Sequence, residues 1–131
     1  MKPLAVYVVG VGARAGVSAA EVSALVDEAL AAARIGAHEV AHLATVEAKG
    51  TEAGIRTVAA DRGWRLVTWP AARLAQVLVP TPSALVGEVA GTASVAEASA
   101  LLDSTGRPTG ALVVPKRTSP TVTVAIARHS G

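Results

Sequence analysis

Cysteine and phenylalanine are both missing from this chain, and only Tyr7, Trp64 and Trp69 are aromatic. Without cysteine there is no disulfide, no thiolate nucleophile and no Cys-ligated zinc. Scarce aromatics weigh against a base-stacking nucleic-acid module, which needs ring platforms. Charge of one sign is also scarce: the formal net charge is +2, and no run of Lys or Arg makes a polybasic tail. No apolar segment approaches the roughly 20 residues that span a bilayer, and the first residues lack the pattern of a signal peptide. The expectation is a soluble cytoplasmic protein with no membrane or nucleic-acid partner. Residues 1–131 suffice for a single domain with a real core. With 51% hydrophobic residues and so few rings, that core is built from Val, Leu, Ile and Ala, small side chains suited to close helix-on-sheet packing.

The pattern along the chain alternates strands with helices. Leu4 to Val9 is an unbroken apolar run that empties into a loop, Gly10 to Ser18, with three glycines, Arg14 and Ser18. Val22, Leu25, Val26, Ala29, Leu30 and Ala33 then share one helical face. Ser18 is placed as N-cap with Glu21 completing a capping box, and Gly36 ends the helix. Glu39–Thr45 reads as a second strand, residues 51–62 as a short helix closed by Gly63, and Arg65–Trp69 as a third strand stopped at Pro70. A helical turn is expected around Ala71–Leu74. A helix is expected from Thr81-Pro82-Ser83 to about Val89, ending at Gly91, and another from Ser94, capped with Glu97, to about Leu102. Ala111–Val114 and Thr121–Ala127 form an antiparallel hairpin across a turn at residues 115–120, with the last three residues loose. The order predicts a three-layer α/β/α domain whose sheet is mostly parallel and ends in that hairpin.

Ligands of such sheets bind outside the carboxyl ends of the strands. There the sequence places Arg14 and Ser18 after strand one. Glu47 and Lys49 follow strand two, two apart and on one side if the backbone is extended. Thr68 and Trp69 end strand three, and Lys116, Arg117, Thr118 and Ser119 occupy the hairpin turn. Cations, hydroxyls and loop N–H groups in one rim suit a ligand with several carboxylates or phosphates. Gly10, Gly12 and Ala15 also fit the dinucleotide pattern G-x-G-x-x-A, with Glu47 as a ribose-binding acid, so a nucleotide-binding module is an alternative. The phosphate-loop pattern of NTPases is absent. His38 and His42 straddle the start of a strand, where residues four apart are separated by roughly 13 Å, so no metal site is expected. His129 lies in the frayed tail, and no Ser/His/Asp triad can be assembled.

Several segments together resemble a known family, the cobalamin-biosynthesis protein CobE and the C-terminal domain of CbiG. They are residues 10–18 with Gly10, Gly12, Arg14, Gly16 and Ser18, then residues 44–49 with Glu47 and Lys49, Pro82-Ser83, residues 91–98, and Leu112–Arg117 followed by Val122–Ala127. The resemblance implies a role in building the corrin ring, with a corrin or precorrin intermediate as ligand and other enzymes of that pathway as partners. CbiG-like proteins open a lactone of a cobalt-corrin precursor and release a two-carbon fragment. A chain starting at the first strand resembles the stand-alone form, without the preceding part of two-domain members. The leading expectation is therefore an accessory or carrier protein, without a cofactor of its own, that binds a polycarboxylate corrin intermediate. Arg14, Lys49, Lys116 and Arg117 would hold carboxylates, while Gly12, Gly16 and Ser18 shape the loop. The enzymatic alternative is a small hydrolase or isomerase on the same intermediates, with Glu47 as general base and Lys49 holding developing negative charge.

Overall fold

The computed structural model describes residues 5–79 and 92–130. Its strands are β1 (Ala5–Ala13), β2 (Val40–Val46), β3 (Arg65–Trp69), β4 (Ala111–Thr118) and β5 (Val122–Ser130), and its helices are α1 (Ala19–Ala32), α2 (Ala53–Asp61), α3 (Ala71–Leu74) and α4 (Thr92–Leu101). One sheet contains all five strands in the order β3-β2-β1-β5-β4. β1, β2 and β3 run parallel, while β5 is antiparallel to both of its neighbours, β1 and β4. β4 therefore points the same way as β1. The carboxyl ends of β1 to β4 lie along one edge, as the α/β reading expects. The helix expected from Thr81 to about Val89 lies outside the described residues.

Helices cover both faces. Val22, Leu25, Val26 and Leu30 of α1, with Ile55 and Val58 of α2, join Val9, Val11, Leu43, Val122, Val124 and Ile126 in the larger core cluster. On the other face, Ala96 and Ala100 of α4 meet Ala125 and Ala127 of β5, and Ala98 packs with Leu74 and Leu102. α4 comes so close to β1 that a Cβ on Gly10 would stand 2.0 Å from the Ala96 carbonyl oxygen. Alanines on one side and a glycine on the other make that approach possible.

Local details depart from the sequence reading at several points. β1 continues through Gly10 and Gly12 to Ala13, because β5 pairs with it residue by residue from Ala5↔Ser130 to Ala13↔Val122. The glycine loop thus starts at Arg14, and Gly10 is a packing residue. The dinucleotide turn read into Gly10, Gly12 and Ala15 does not exist as a turn. α1 ends at Ala32, and the left-handed residue beyond it is Arg34, with φ of 56°, rather than Gly36. α4 is already helical at Thr92, so Ser94 is not its N-cap. β4 runs to Thr118 with two register irregularities, which places Lys116 and Arg117 in a strand and not in a turn. His129 is buried within β5, its ring bonded to the Ala100 carbonyl at 2.8 Å and to Thr109 Oγ1 at 3.0 Å. The tail looked loose because its polar residues hid a ladder that runs to Ser130.

Candidate functional site

Four segments meet the carboxyl edge. The first is the loop from Arg14 to Ser18, tied to the neighbouring turn by the Arg14 amide donating to the Thr121 carbonyl at 3.0 Å. Gly16 sits at φ of 78°, a left-handed conformation that a side chain would strain. Ser18 caps α1 as expected. Its Oγ accepts from the Glu21 amide at 3.1 Å, and its own amide donates to Glu21 Oε1 at 3.2 Å.

Three donors of this loop, the Gly16 and Ser18 amides and the Ser18 hydroxyl, are already engaged by acids of the chain itself. The Gly16 amide donates to Glu52 Oε1 at 2.9 Å, reaching the residue that precedes α2. Ser18 Oγ donates to Glu21 Oε1 at 2.9 Å, and Thr121 Oγ1 donates to Glu21 Oε2. These hydrogen bonds, from Thr121 first and then Ser18, hold the Glu21 carboxyl below its ordinary range. Neither Glu52 nor Thr121 was visible as a partner in the sequence, since they lie 36 residues from Gly16 and 100 from Glu21.

The second segment is Glu47–Lys49, a single 3-10 turn and not extended chain. At three residues per turn, side chains two apart are rotated about 240° around the axis, so Glu47 and Lys49 diverge instead of sharing a side. The third is the end of β3, where the Trp69 ring packs beneath Gly106; a Cβ there would lie 3.3 Å from the ring. Arg73 pins the same turn by donating to the Gly106 carbonyl at 2.7 Å.

The fourth is the end of β4. The Lys116 amide donates to Glu97 Oε2 at 3.1 Å, which anchors this strand to the first turns of α4. Glu97 is wholly buried, an acid that the sequence reading assigned to a cap. Arg117 projects toward the opposite layer and pairs with Glu28 of α1 at 3.1 Å. That half-exposed pair is weak, but it commits one of the four expected cations to a helix partner.

Register fixes the spacing of the columns. Gly10 faces Ala44 across β1 and β2, so Arg14 and Glu47 leave the sheet at nearly the same level. With about 4.8 Å between strands, the Lys49 column lies next to that of Arg14, and the Lys116 column stands about 10 Å away on the other side. Among the described residues, the side chains of Arg14 and Lys49 have no ion pair. No group of three or more potential metal ligands occurs there either. Nor is any described helix long and apolar enough to cross a membrane.

Comparison with known proteins gives this edge a context. Residues 7–127 match the family described as cobalamin synthesis G C-terminus. The chain belongs to this family. Over 121 residues it is 33% identical to cobalt-precorrin-5A hydrolase of Priestia megaterium, covering 92% of this chain and 32% of that protein. It thus spans about a third of the length of that curated relative. The crystal structure of CobE, a protein from the cobalamin biosynthetic pathway, superposes with a TM-score of 0.81 at 28% identity, covering 100% of this chain and 96% of the other. Cobalamin biosynthesis protein chiG from Agrobacterium tumefaciens gives 0.71 at 31% identity, over 96% and 100%. Membership matches the resemblance read from the motifs, and the nucleotide-binding alternative loses its loop.

Proposed function

We propose that this family domain binds a polycarboxylate corrin or precorrin intermediate at the carboxyl edge, as an accessory or carrier protein of cobalamin biosynthesis. The carrying observation is that Arg14 and Lys49, on adjacent loops, have no ion-pair partner among the described residues, whereas the Gly16 and Ser18 amides are filled by Glu52 and Glu21. Binding in this reading is done by side-chain cations, with Gly16 and Ser18 shaping the loop that presents Arg14 and Gly12 in the strand that leads into it. Lys116 stands lower on the sheet, between the levels of Val9 and Val11, and Arg117 contributes only if it leaves Glu28. A cytoplasmic location and contacts with other enzymes of the pathway belong to the same proposal.

A many-acid ligand is needed because each exposed charge pair contributes only about 0.2–1 kcal/mol, against about 8 kcal/mol for micromolar binding. Titration with corrin carboxylic acids, followed through their visible absorption band, tests the assignment. Arg14→Ala with Lys49→Ala is expected to weaken binding by about 2- to 30-fold. Unchanged affinity in that double variant removes the site from this edge.

The name of the Priestia relative favours a second reading, hydrolysis of a precorrin lactone with Glu47 as base and Lys49 stabilising negative charge. The 3-10 turn separates these two side chains, so Glu47 would act from a different direction than Lys49. Turnover of such a lactone that is abolished by Glu47→Gln would establish it over the carrier.

A further inference from the structure

At the end of the sheet opposite the carboxyl edge, a cavity of about 210 Å³ opens between the starts of β1, β2 and β3, the end of β5 and the turn after α4. His42, Arg65, Asp103, Ser104, His129 and Ser130 line it. His42 and Arg65 are register partners on β2 and β3.

Most polar atoms around this cavity are already committed. Asp103 Oδ1 accepts from the Thr105 amide at 2.8 Å, Thr105 Oγ1 at 2.6 Å and the Arg107 amide at 3.0 Å, and Oδ2 accepts from Thr109 Oγ1 at 3.3 Å. Both ring nitrogens of His129 have partners, in Ala100 and Thr109. His42 differs. It is only 4% exposed, and its Nε2 is buried with no hydrogen-bond partner among the described residues. Buried polar atoms are nearly always satisfied, and His42, which lines the cavity, carries one that is not, so its ring is the group left to meet a ligand. Arg65, exposed at the mouth, has no ion pair among the described residues.

The uncommitted groups are therefore a guanidinium, the Ser104 and Ser130 hydroxyls and one imidazole, a set richer in donors than in acceptors. We propose that this cavity is a binding site for an acetate-sized carboxylate, held between the Arg65 guanidinium and the His42 ring. One carboxylate oxygen takes the guanidinium and the serine hydroxyls, and the other takes the imidazole N–H. The site is separate from the carboxyl edge and independent of the function proposed there.

Binding carries a proton with it. Burial first, then the charges of His129 and Arg65, push the His42 pKa down to about 4, with Asp103 opposing them. A carboxylate beside the ring adds a second negative charge to that of Asp103 and raises that value, so the ligand and the proton strengthen each other's binding. Between the two pKa values, affinity changes about tenfold per pH unit and is higher on the acid side.

Titration with acetate at pH 7.5 and 5.5, read from the ring nitrogen resonances of His42 by NMR, tests the site. The expected result is a saturating shift, at least about tenfold tighter at pH 5.5, weakened severalfold in Arg65→Met and unchanged in Arg14→Ala. Arg65 is exposed, so that variant keeps the fold, and His42→Asn is expected to bind weakly with no pH dependence. Resonances indifferent to acetate, equal affinity at both pH values, or full binding by Arg65→Met would overturn the proposal. An identical response to chloride would overturn the carboxylate assignment.

Discussion

Replacing Gly10 by alanine tests the packing on which this architecture rests. The added Cβ would lie 2.0 Å from the Ala96 oxygen, 2.8 Å from Ser99 Oγ and 2.9 Å from the Ala100 amide nitrogen. Two of those three atoms are helix backbone, so no rotamer change relieves the clash. α4 has to retreat from the sheet by at least about 1 Å to bring that oxygen to 3.0 Å, the closest a Cβ tolerates. A gap of that size forfeits a quarter to a half of each dispersion contact that Ala96 and Ala100 make with Ala125 and Ala127. It also lengthens the 3.3 Å hydrogen bond from Ser99 Oγ to the Ala44 carbonyl beyond bonding distance. The expected loss is about 3 kcal/mol, at the upper end for overpacking, or about 10 °C in Tm for a domain of this size. Equilibrium urea unfolding with an unchanged m-value measures it. Gly16→Ala serves as the comparison: nothing lies within 4 Å of its added Cβ, and only the φ of 78° opposes it, at about 1–2 kcal/mol. A Gly10→Ala protein within about 0.5 kcal/mol of wild type, the scatter of ordinary surface substitutions, would refute the close-approach argument.

Other consequences are open to similar checks. Arg62 donates to Ser23 Oγ at 2.8 Å, pairs with Asp27 at 2.7 Å and lies 5.3 Å from the centre of the Trp64 ring. Arg62→Ala is expected to lower stability by about 1–2 kcal/mol in urea, with Arg62→Lys recovering only part. Glu52→Gln leaves the Gly16 amide a neutral acceptor at best; faster hydrogen exchange at that amide and a loss of about 1 kcal/mol are expected. His42 titrates near 6.5 when unfolded and about 4 when folded, so the unfolded chain binds more protons between those values. Its contribution is fully present above about pH 6.5 and is lost as pH falls toward 4, at about 1.4 kcal/mol per pH unit. A His42→Asn protein should show a flatter stability profile over that window, and an identical slope would show that another group is responsible.

Elements with a strong local signature were readable directly. The Ser18–Glu21 capping box, the apolar stripe of α1, the whole of β3 and the turn of α3 follow from spacing that the backbone itself imposes. What escaped was set by tertiary neighbours. Gly10 and Gly12 look like a loop in isolation, and only the β5 ladder makes them strand. Pro115 suggested a turn, yet an edge strand with register irregularities tolerates it, and β4 passes straight through. Glu97 sits three residues after Ser94, which mimics a cap, while its carboxylate in fact anchors a neighbouring strand. At the candidate site, the Ser18 cap was legible, but the acids that bond to the loop and the strand that carries Lys116 and Arg117 were not. Nothing in the spacing of Glu52 announces Gly16.

The placement of β5 also constrains the order of assembly. This segment is the latest strand in the chain, yet it lies between β1, the earliest, and β4. During synthesis, at about 5–20 residues per second, β1, β2 and β3 can associate early, while β4 waits without a neighbour until residues 122–130 arrive. The nascent chain must hold open a slot beside β1 and shield its exposed backbone groups for several seconds. A premature stop in this stretch would strand β4 and leave a raw sheet edge, a ready template for aggregation.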